Sequence, residues 1–129
     1  MEVKIYTDGG SRGNPGKSAC AFLVVKNNKI VLSSSKFIGQ ATNNDAEYNA
    51  IVEALSQIKA KKIHLFSDSE LVVKQLNGEY KINKPELKKL WEKVIRLCEN
   101  RKVIFSNVPR ENKYITKVDY LVNLELDKN

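Results

Sequence analysis

Four carboxylic acids stand where an ordinary surface acid would be out of place: Asp8, Glu47, Asp68 and Asp119. Asp8 closes an alternating segment directly before Gly9 and Gly10, and Asp68 ends the strand-like segment that begins at Lys62. Glu47 and Asp119 fall on helical faces that otherwise gather Ala50, Ile51, Ala54 and Leu55, or Ile115, Val118 and Val122. A carboxylate turned toward a sheet needs a partner, because uncompensated buried charge is expensive. Each acid also has a bland reading. Asp68 could be the N-cap of a helix starting at Ser69, Asp8 a turn acid, and Glu47 the partner of a lysine. Convergence changes the weighing, since each like-charge pair at ~4 Å and an effective dielectric near 20 costs about 4 kcal/mol. A cluster of them is tolerable only with protons or cations inserted. One histidine and two cysteines without a CxxC pair leave an oxygen ligand set. Hard oxygen donors select Mg²⁺ or Mn²⁺ over zinc. Carboxylates holding divalent ions beside a basic surface specify metal-assisted phosphodiester hydrolysis.

The basic surface is visible in the charge distribution. Lys and Arg number 22 against 15 Asp and Glu, a net charge of +7. Residues 1–73 carry nine bases and seven acids, whereas residues 74–117 carry twelve and five. Such a segment is the expected footprint of a polyanion, with a generically solvated basic face as the alternative.

These side chains have to be positioned by secondary structure. Glu2–Asp8 alternates Val3, Ile5 and Thr7 with Lys4, Tyr6 and Asp8, a strand period. Gly13-Asn14-Pro15-Gly16 punctuates a turn over Ser11–Gly16. Ser18–Lys26 and Ile30–Gly39 read as a hairpin across Asn27-Asn28. Thr42 and Asp45 form a capping-box pattern for a helix running to about Lys59, with Glu47 and Ile58 on its inward face. Lys62–Ser67 is the fourth strand, with Asp68 at its end, and Ser69–Leu76 a short helix. From Pro85 a longer helix carries Leu87, Leu90, Trp91, Val94, Leu97 and Cys98, a stripe that places Trp91 in the core. Lys102–Val108 is the fifth strand, and a last helix starts near Tyr114. This order predicts an α/β fold with a mixed sheet, antiparallel at first and parallel later, and helices packed on its faces. If the first and fourth strands are parallel neighbours, Asp8 and Asp68 emerge together at the carboxyl edge, where open α/β sheets bind ligands. A chain of 129 residues is about one domain and buries roughly two-thirds of its surface. Cys20 and Cys98 read as buried free thiols in a reducing compartment. No apolar run reaches transmembrane length and no signal sequence opens the chain, so a cytoplasmic protein with no membrane association is expected.

Nearly the whole chain, from Lys4 to about Leu126, resembles the type 1 ribonuclease H family. Tyr6-Thr7-Asp8-Gly9-Gly10-Ser11-Arg12-Gly13-Asn14-Pro15-Gly16 is similar to the family's first motif, and Thr42-Asn43-Asn44-Asp45-Ala46-Glu47-Tyr48 to the second. Phe66-Ser67-Asp68-Ser69-Glu70-Leu71-Val72 matches the third, and Val118-Asp119-Tyr120-Leu121-Val122-Asn123 a looser fourth. The resemblance implies a ribonuclease H-like fold with strand order 3-2-1-4-5, acting on RNA–DNA hybrids as a single catalytic domain over 1–129. It implies Asp8, Glu47, Asp68 and Asp119 as ligands of two catalytic Mg²⁺ ions, with Mn²⁺ as substitute. One ion would activate the attacking water and the other stabilise the leaving 3′-oxygen, giving 3′-hydroxyl and 5′-phosphate ends. Asn14, Asn43 and Asn44 would line the minor groove, where 2′-hydroxyls mark RNA, and Thr42 would touch a DNA-strand phosphate.

The chain also departs from the family pattern. Asn107–Lys117 lacks the histidine many members carry before the fourth acid, which leaves Arg110 as the nearest functional group. Glu70 stands where glutamine is common. The basic protruding loop is missing between Tyr80 and Pro85, and Tyr80 is a candidate for stacking on the DNA strand. The expected substrate-binding set is therefore Gly9, Asn14, Thr42, Asn43, Asn44, Glu70, Tyr80 and Arg110. A monomer without an obligate protein partner is expected. Two rivals stay open: a junction-resolving, integrase-like or exonuclease relative of the same fold, and a catalytically silent hybrid-binding module.

Overall fold

The computed structural model describes residues 2–129. Five strands, β1 (Glu2–Gly13), β2 (Gly16–Lys26), β3 (Lys29–Ala41), β4 (Lys62–Ser67) and β5 (Lys102–Asn107), form one sheet in the order β3-β2-β1-β4-β5. The first three run antiparallel, and β4 and β5 run parallel to β1. Register places Tyr6 beside Phe66, so Asp8 and Asp68 leave the sheet at the same edge. The sequence-predicted architecture and strand order hold.

Helices α1 (Asn43–Gln57), α2 (Glu70–Leu76) and α3 (Pro85–Leu97) share one core with the sheet, and α4 (Lys113–Lys128) belongs to the other. Period-2 alternation along the strands divides them. Val3, Ile5, Phe22, Val24, Ile63 and Leu65 pack toward α1 and α3. Tyr6, Ala19, Ala21, Leu23 and Val25 meet Ile115, Val118, Val122 and Leu126 of α4. Trp91 is partly buried against the first core, as its helical spacing predicts. His64 is half-buried, with Nε2 2.7 Å from Ser106 Oγ and its ring stacked on Phe66. Cys20 and Cys98 are free thiols. No helix among the described residues is long and apolar enough to cross a membrane.

Several boundaries move by one or two residues, and two differences bear on the site. Ser11–Gly16 is not a turn throughout: β1 continues to Gly13 and pairs Ser11 with Ser18 and Gly13 with Gly16. Only Asn14 and Pro15 remain between the strands. Polar and glycine residues punctuate turns in an isolated segment, but here an antiparallel partner supplies the hydrogen bonds that hold them extended. The second difference lies at α2, whose N-cap is Ser69, its side chain accepting from Val72 N at 3.4 Å. Asp68 is thereby released from the capping role that was its main structural alternative.

Candidate active site

Three elements deliver the acids to one point. β1 carries Asp8 to the carboxyl edge, the neighbouring parallel β4 ends one residue before Asp68, and the second turn of α1 lowers Glu47 onto the same edge. Ligand oxygens of Asp8, Glu47 and Asp68 all lie within 4.8 Å of one another. Asp8 is 8 % and Glu47 7 % exposed, and Asp68 is half-buried.

The close approach of α1 depends on Gly9. A Cβ there would run into the backbone of Ala46 and Glu47. With none present, Gly9 N donates to Glu47 Oε1 at 2.6 Å. Ser67 Oγ donates to Glu47 Oε2 at 3.4 Å and accepts from Ser69 N at 3.1 Å. Both carboxylate oxygens of Glu47 are therefore held from the sheet side. Asn107 Nδ2 donates to Ser67 O at 3.0 Å and ties the end of β5 to the same corner.

Burial and crowding perturb all three acids. Desolvation, followed by the charges of Asp68 and Asp119, pushes Asp8 up to about 7, against the pull of its hydrogen bonds. Glu47 is raised well above the ordinary carboxylate range, first by burial and then by Asp8. Burial also raises Asp68, opposed by the Arg110 guanidinium, whose Nε lies 3.7 Å from Asp68 Oδ2. At neutral pH such a cluster retains protons or takes up cations, since neither mutual repulsion nor desolvation is otherwise relieved. Its donors are oxygens alone. That set fits a hard divalent cation.

Around the cluster lies a cavity of about 390 Å³, and Gly9, Asn43, Asn44, Arg110 and Asp119 are among its lining residues. Asp119 thus faces the other acids and acts on Asp8 and Asp68 electrostatically. Its position corrects the sequence reading in one respect. It is exposed and sits at the margin of the α4 stripe, not within it. Two other acids of the C-terminal region, Asp127 and Glu111, could compete for its role by position in the sequence, and they fare differently. Asp127 is bound to Arg12 at 2.6 Å, and Glu111 is exposed on the loop before α4.

The predicted substrate residues divide into two groups. Asn14 Oδ1 accepts from Asn43 N at 2.9 Å, and Asn43 Oδ1 accepts from Ser11 N at 2.9 Å, which knits the β1–β2 hairpin to the start of α1. Thr42 forms the complete capping box with Asp45, so its hydroxyl oxygen is already engaged by the helix. Asn14 and Thr42 adjoin the cavity through Asn43 without lining it, whereas Glu70 and Tyr80 lie away from it. Glu70 pairs with Lys74 at 3.5 Å. Tyr80 lies under the Lys74 ammonium and lines a separate groove beside Trp91. Ser67, Arg12 and Asn123, which the sequence reading quotes within motifs without assigning a role, also stand beside the cluster. Ser67 carried a signal, being the small polar residue directly before Asp68. Arg12 and Asn123 each lie in a motif, but their meeting at 3.3 Å joins chain positions too far apart for spacing to show.

Comparison with known proteins was consistent across sequence and structure. A sequence profile of the RNase H family matches residues 1–118. A bifunctional protein of Mycobacterium tuberculosis, Rv2228c, is 35% identical over 133 aligned positions, covering 98% of this chain and 36% of that protein. The chain thus spans about a third of the length of the mycobacterial relatives it matches. The crystal structure of RNase H1 from the halophilic archaeon Halobacterium salinarum superposes with a TM-score of 0.93 at 36% identity, covering 100% of both chains. LC11-RNase H1, solved in complex with an RNA/DNA hybrid, gives a TM-score of 0.90 at 34% identity, over 98% of this chain and 97% of that one.

Proposed function

The chain belongs to the ribonuclease H family, and on that premise we propose that it is an endonuclease hydrolysing the RNA strand of RNA–DNA hybrids. The observation that carries the proposal is the oxygen triad of buried Asp8 and Glu47 with half-buried Asp68, set beside an asparagine-bearing rim. The same reading has the chain act as one monomeric domain in the cytoplasm, in keeping with its free thiols.

Asp8, Glu47 and Asp68 would hold two Mg²⁺ ions, or Mn²⁺ in their place, with Asp119 as the fourth and outermost ligand. When bound, the ions would supply an activated water and a stabilised 3′-leaving oxygen, leaving 3′-hydroxyl and 5′-phosphate ends. The protein's own contributions follow from its contacts. Gly9 N–H and Ser67 Oγ fix the orientation of Glu47. Its exposed side chain suits Arg110 to neutralise a phosphate at the cavity edge, in a loop without histidine. The Oδ1 atoms of Asn14 and Asn43 are committed to backbone N–H groups. Their Nδ2 donors, with Asn44, would then meet 2′-hydroxyls in the shallow minor groove of the hybrid. Thr42 can still donate its hydroxyl proton to a DNA-strand phosphate.

Cleavage of matched substrates tests the proposal. In Mg²⁺ the chain should cut a hybrid within its RNA strand, leave duplex DNA intact and cut single-stranded RNA poorly. Equal rates on hybrid and duplex DNA would transfer the protein to a resolvase- or exonuclease-type activity. Binding without cleavage in either metal would make it a silent hybrid-binding module.

A further inference from the structure

Fold topology brings a second charged region together at the edge opposite the carboxylates. The β2–β3 turn carries Lys26 and Lys29, the α1–β4 connection Lys59, Lys61 and Lys62, and the start of β5 Lys102. All six are exposed. Hydrogen bonding of Lys102 N to Lys61 O at 2.7 Å holds two of these connections side by side. The acids of the adjoining segments are Glu2 and Glu99, and among the described residues none of the six lysines forms an ion pair. By contrast Lys36, Lys74 and Lys128, elsewhere on the molecule, each have an acidic partner.

Most of this edge lies outside the basic segment that the linear sequence singles out, since five of the six lysines precede residue 74. Only the topology assembles them. We propose that this lysine edge is a second, sequence-independent nucleic-acid-binding surface, taking the phosphate backbone of a strand or duplex other than the one at the carboxylates. Distance requires a separate segment. Lys62 and Asp68 lie six positions apart along β4, about 20 Å at ~3.3 Å per residue, and at opposite ends of the strand. A duplex seated on the carboxylate edge presents its phosphates there and along its own axis, not beneath the sheet. Charge chooses the partner: unpaired lysines on short connections suit a regularly spaced polyanion and read no base, as phosphate-directed binding requires. Four strand spacings of ~4.8 Å separate β3 from β5, so the row spans up to ~19 Å. That is room for several successive phosphates.

The consequence would be an enzyme that holds its hybrid at one end and neighbouring nucleic acid at the other. This goes beyond the hydrolytic reading and can fail independently of it. The experiment uses the Asp8→Asn chain, so that hybrid stays whole, captured on an immobilised hybrid and then offered a fluorescent 12-base-pair DNA duplex. The captured chain should recruit the second duplex. Adding Lys59→Gln, Lys61→Gln, Lys62→Gln and Lys102→Gln should reduce recruitment at least tenfold while hybrid capture stays within twofold. Direct titration of duplex DNA against salt gives a second readout. Each phosphate contact contributes about −0.9 to the slope of log K against log salt, so the four-lysine variant should show a slope shallower by about 2 to 3. Unchanged recruitment and slope in the variant would overturn the proposal. So would failure of the parent chain to recruit any duplex, including the case where polyglutamate occupies the lysines instead. If hybrid is not captured at all, the ribonuclease H reading fails, and the salt slope on duplex DNA still decides this one.

Discussion

Along β4, six positions separate Lys62 from Asp68, and over that distance the handling of charge reverses. At the carboxyl edge Asp8 and Glu47 are almost wholly withdrawn from water and crowded with Asp68. At the amino edge Lys59, Lys61 and Lys62 fall within four positions of one another and stand in solvent. Like charge gathered at one edge has different consequences in the two settings. In water, screening reduces the repulsion to little, and a diffuse counterion layer completes the neutralisation. Out of water only a proton or a directly bonded cation suffices, so the buried cluster is poised for inner-sphere metal and the exposed one for exchangeable phosphate.

The largest effect should come from removing one member of the buried cluster. Asp8→Asn or Asp68→Asn should lower Mg²⁺-dependent hybrid cleavage by about three orders of magnitude, ~4 kcal/mol of barrier, with the fold retained by circular dichroism. Without metal the same substitutions should stabilise the protein, on the order of 1 kcal/mol or a few degrees in Tm, by relieving repulsion. The pH dependence has a definite sign. An unfolded chain releases the Asp8 proton near 3.8, whereas the folded chain keeps it up to about 7. Between those values the folded state binds more protons, so metal-free stability falls as pH rises. Melting in EDTA at pH 5 and 7.5 should show this decline, with Asp8→Asn flattening it and Mg²⁺ offsetting it at the upper end. Greater metal-free stability at pH 7.5 than at pH 5 would break the contrast drawn here.

Asp119 is intermediate, acidic and facing the cluster but exposed. Asp119→Asn should slow single-turnover cleavage in Mg²⁺ by roughly 10- to 100-fold, ~1.4 to 2.8 kcal/mol, and by less in Mn²⁺. Asp127→Asn and Glu111→Gln should stay near the parent rate. A dead Asp127 variant beside a normal Asp119 variant would show that the fourth acid has been misplaced.

The smallest effects belong to the amino edge. Lys62→Gln should shift stability by no more than about 0.5 kcal/mol in either direction at any pH between 5 and 8, as exposed substitutions do. His64→Ala, on the same strand, should leave the cleavage rate within a few-fold, since its ring faces Phe66 and Ser106 and not the cavity. A strong rate loss in either variant would erase the functional difference between the two edges.

Much of this arrangement was legible in the residues. Strand alternation, the Thr42–Asp45 capping box and the helical stripe of α3 each speak for themselves within a dozen positions. Glu47 stands out because it interrupts an apolar helix face, and Asp8 and Asp68 because each closes a strand. What escaped notice depends on contacts between distant segments. The extension of β1 to Gly13 exists only because β2 lies alongside. Asp119 seemed part of a buried stripe because spacing alone cannot separate the centre of a helix face from its margin. Glu70 and Tyr80 stand near the site in sequence, and their nearest partner in space is Lys74. The lysine edge was invisible as a cluster, since three chain connections contribute to it.

Gly9 sets a limit of another kind, on how this sequence can drift. Positions that fill a core tolerate exchange among apolar side chains of similar volume, because neighbours repack. Position 9 has no such latitude: what it would strike is the backbone of α1 at Ala46 and Glu47, and backbone does not repack. Any side chain there would have to move a helix, and with it Glu47, away from Asp8. Descendants of this chain can therefore change the hairpin, the loops and most of the surface while remaining the same enzyme, but the gap between the two acids is inherited through a residue that has nothing to mutate except its absence of a side chain.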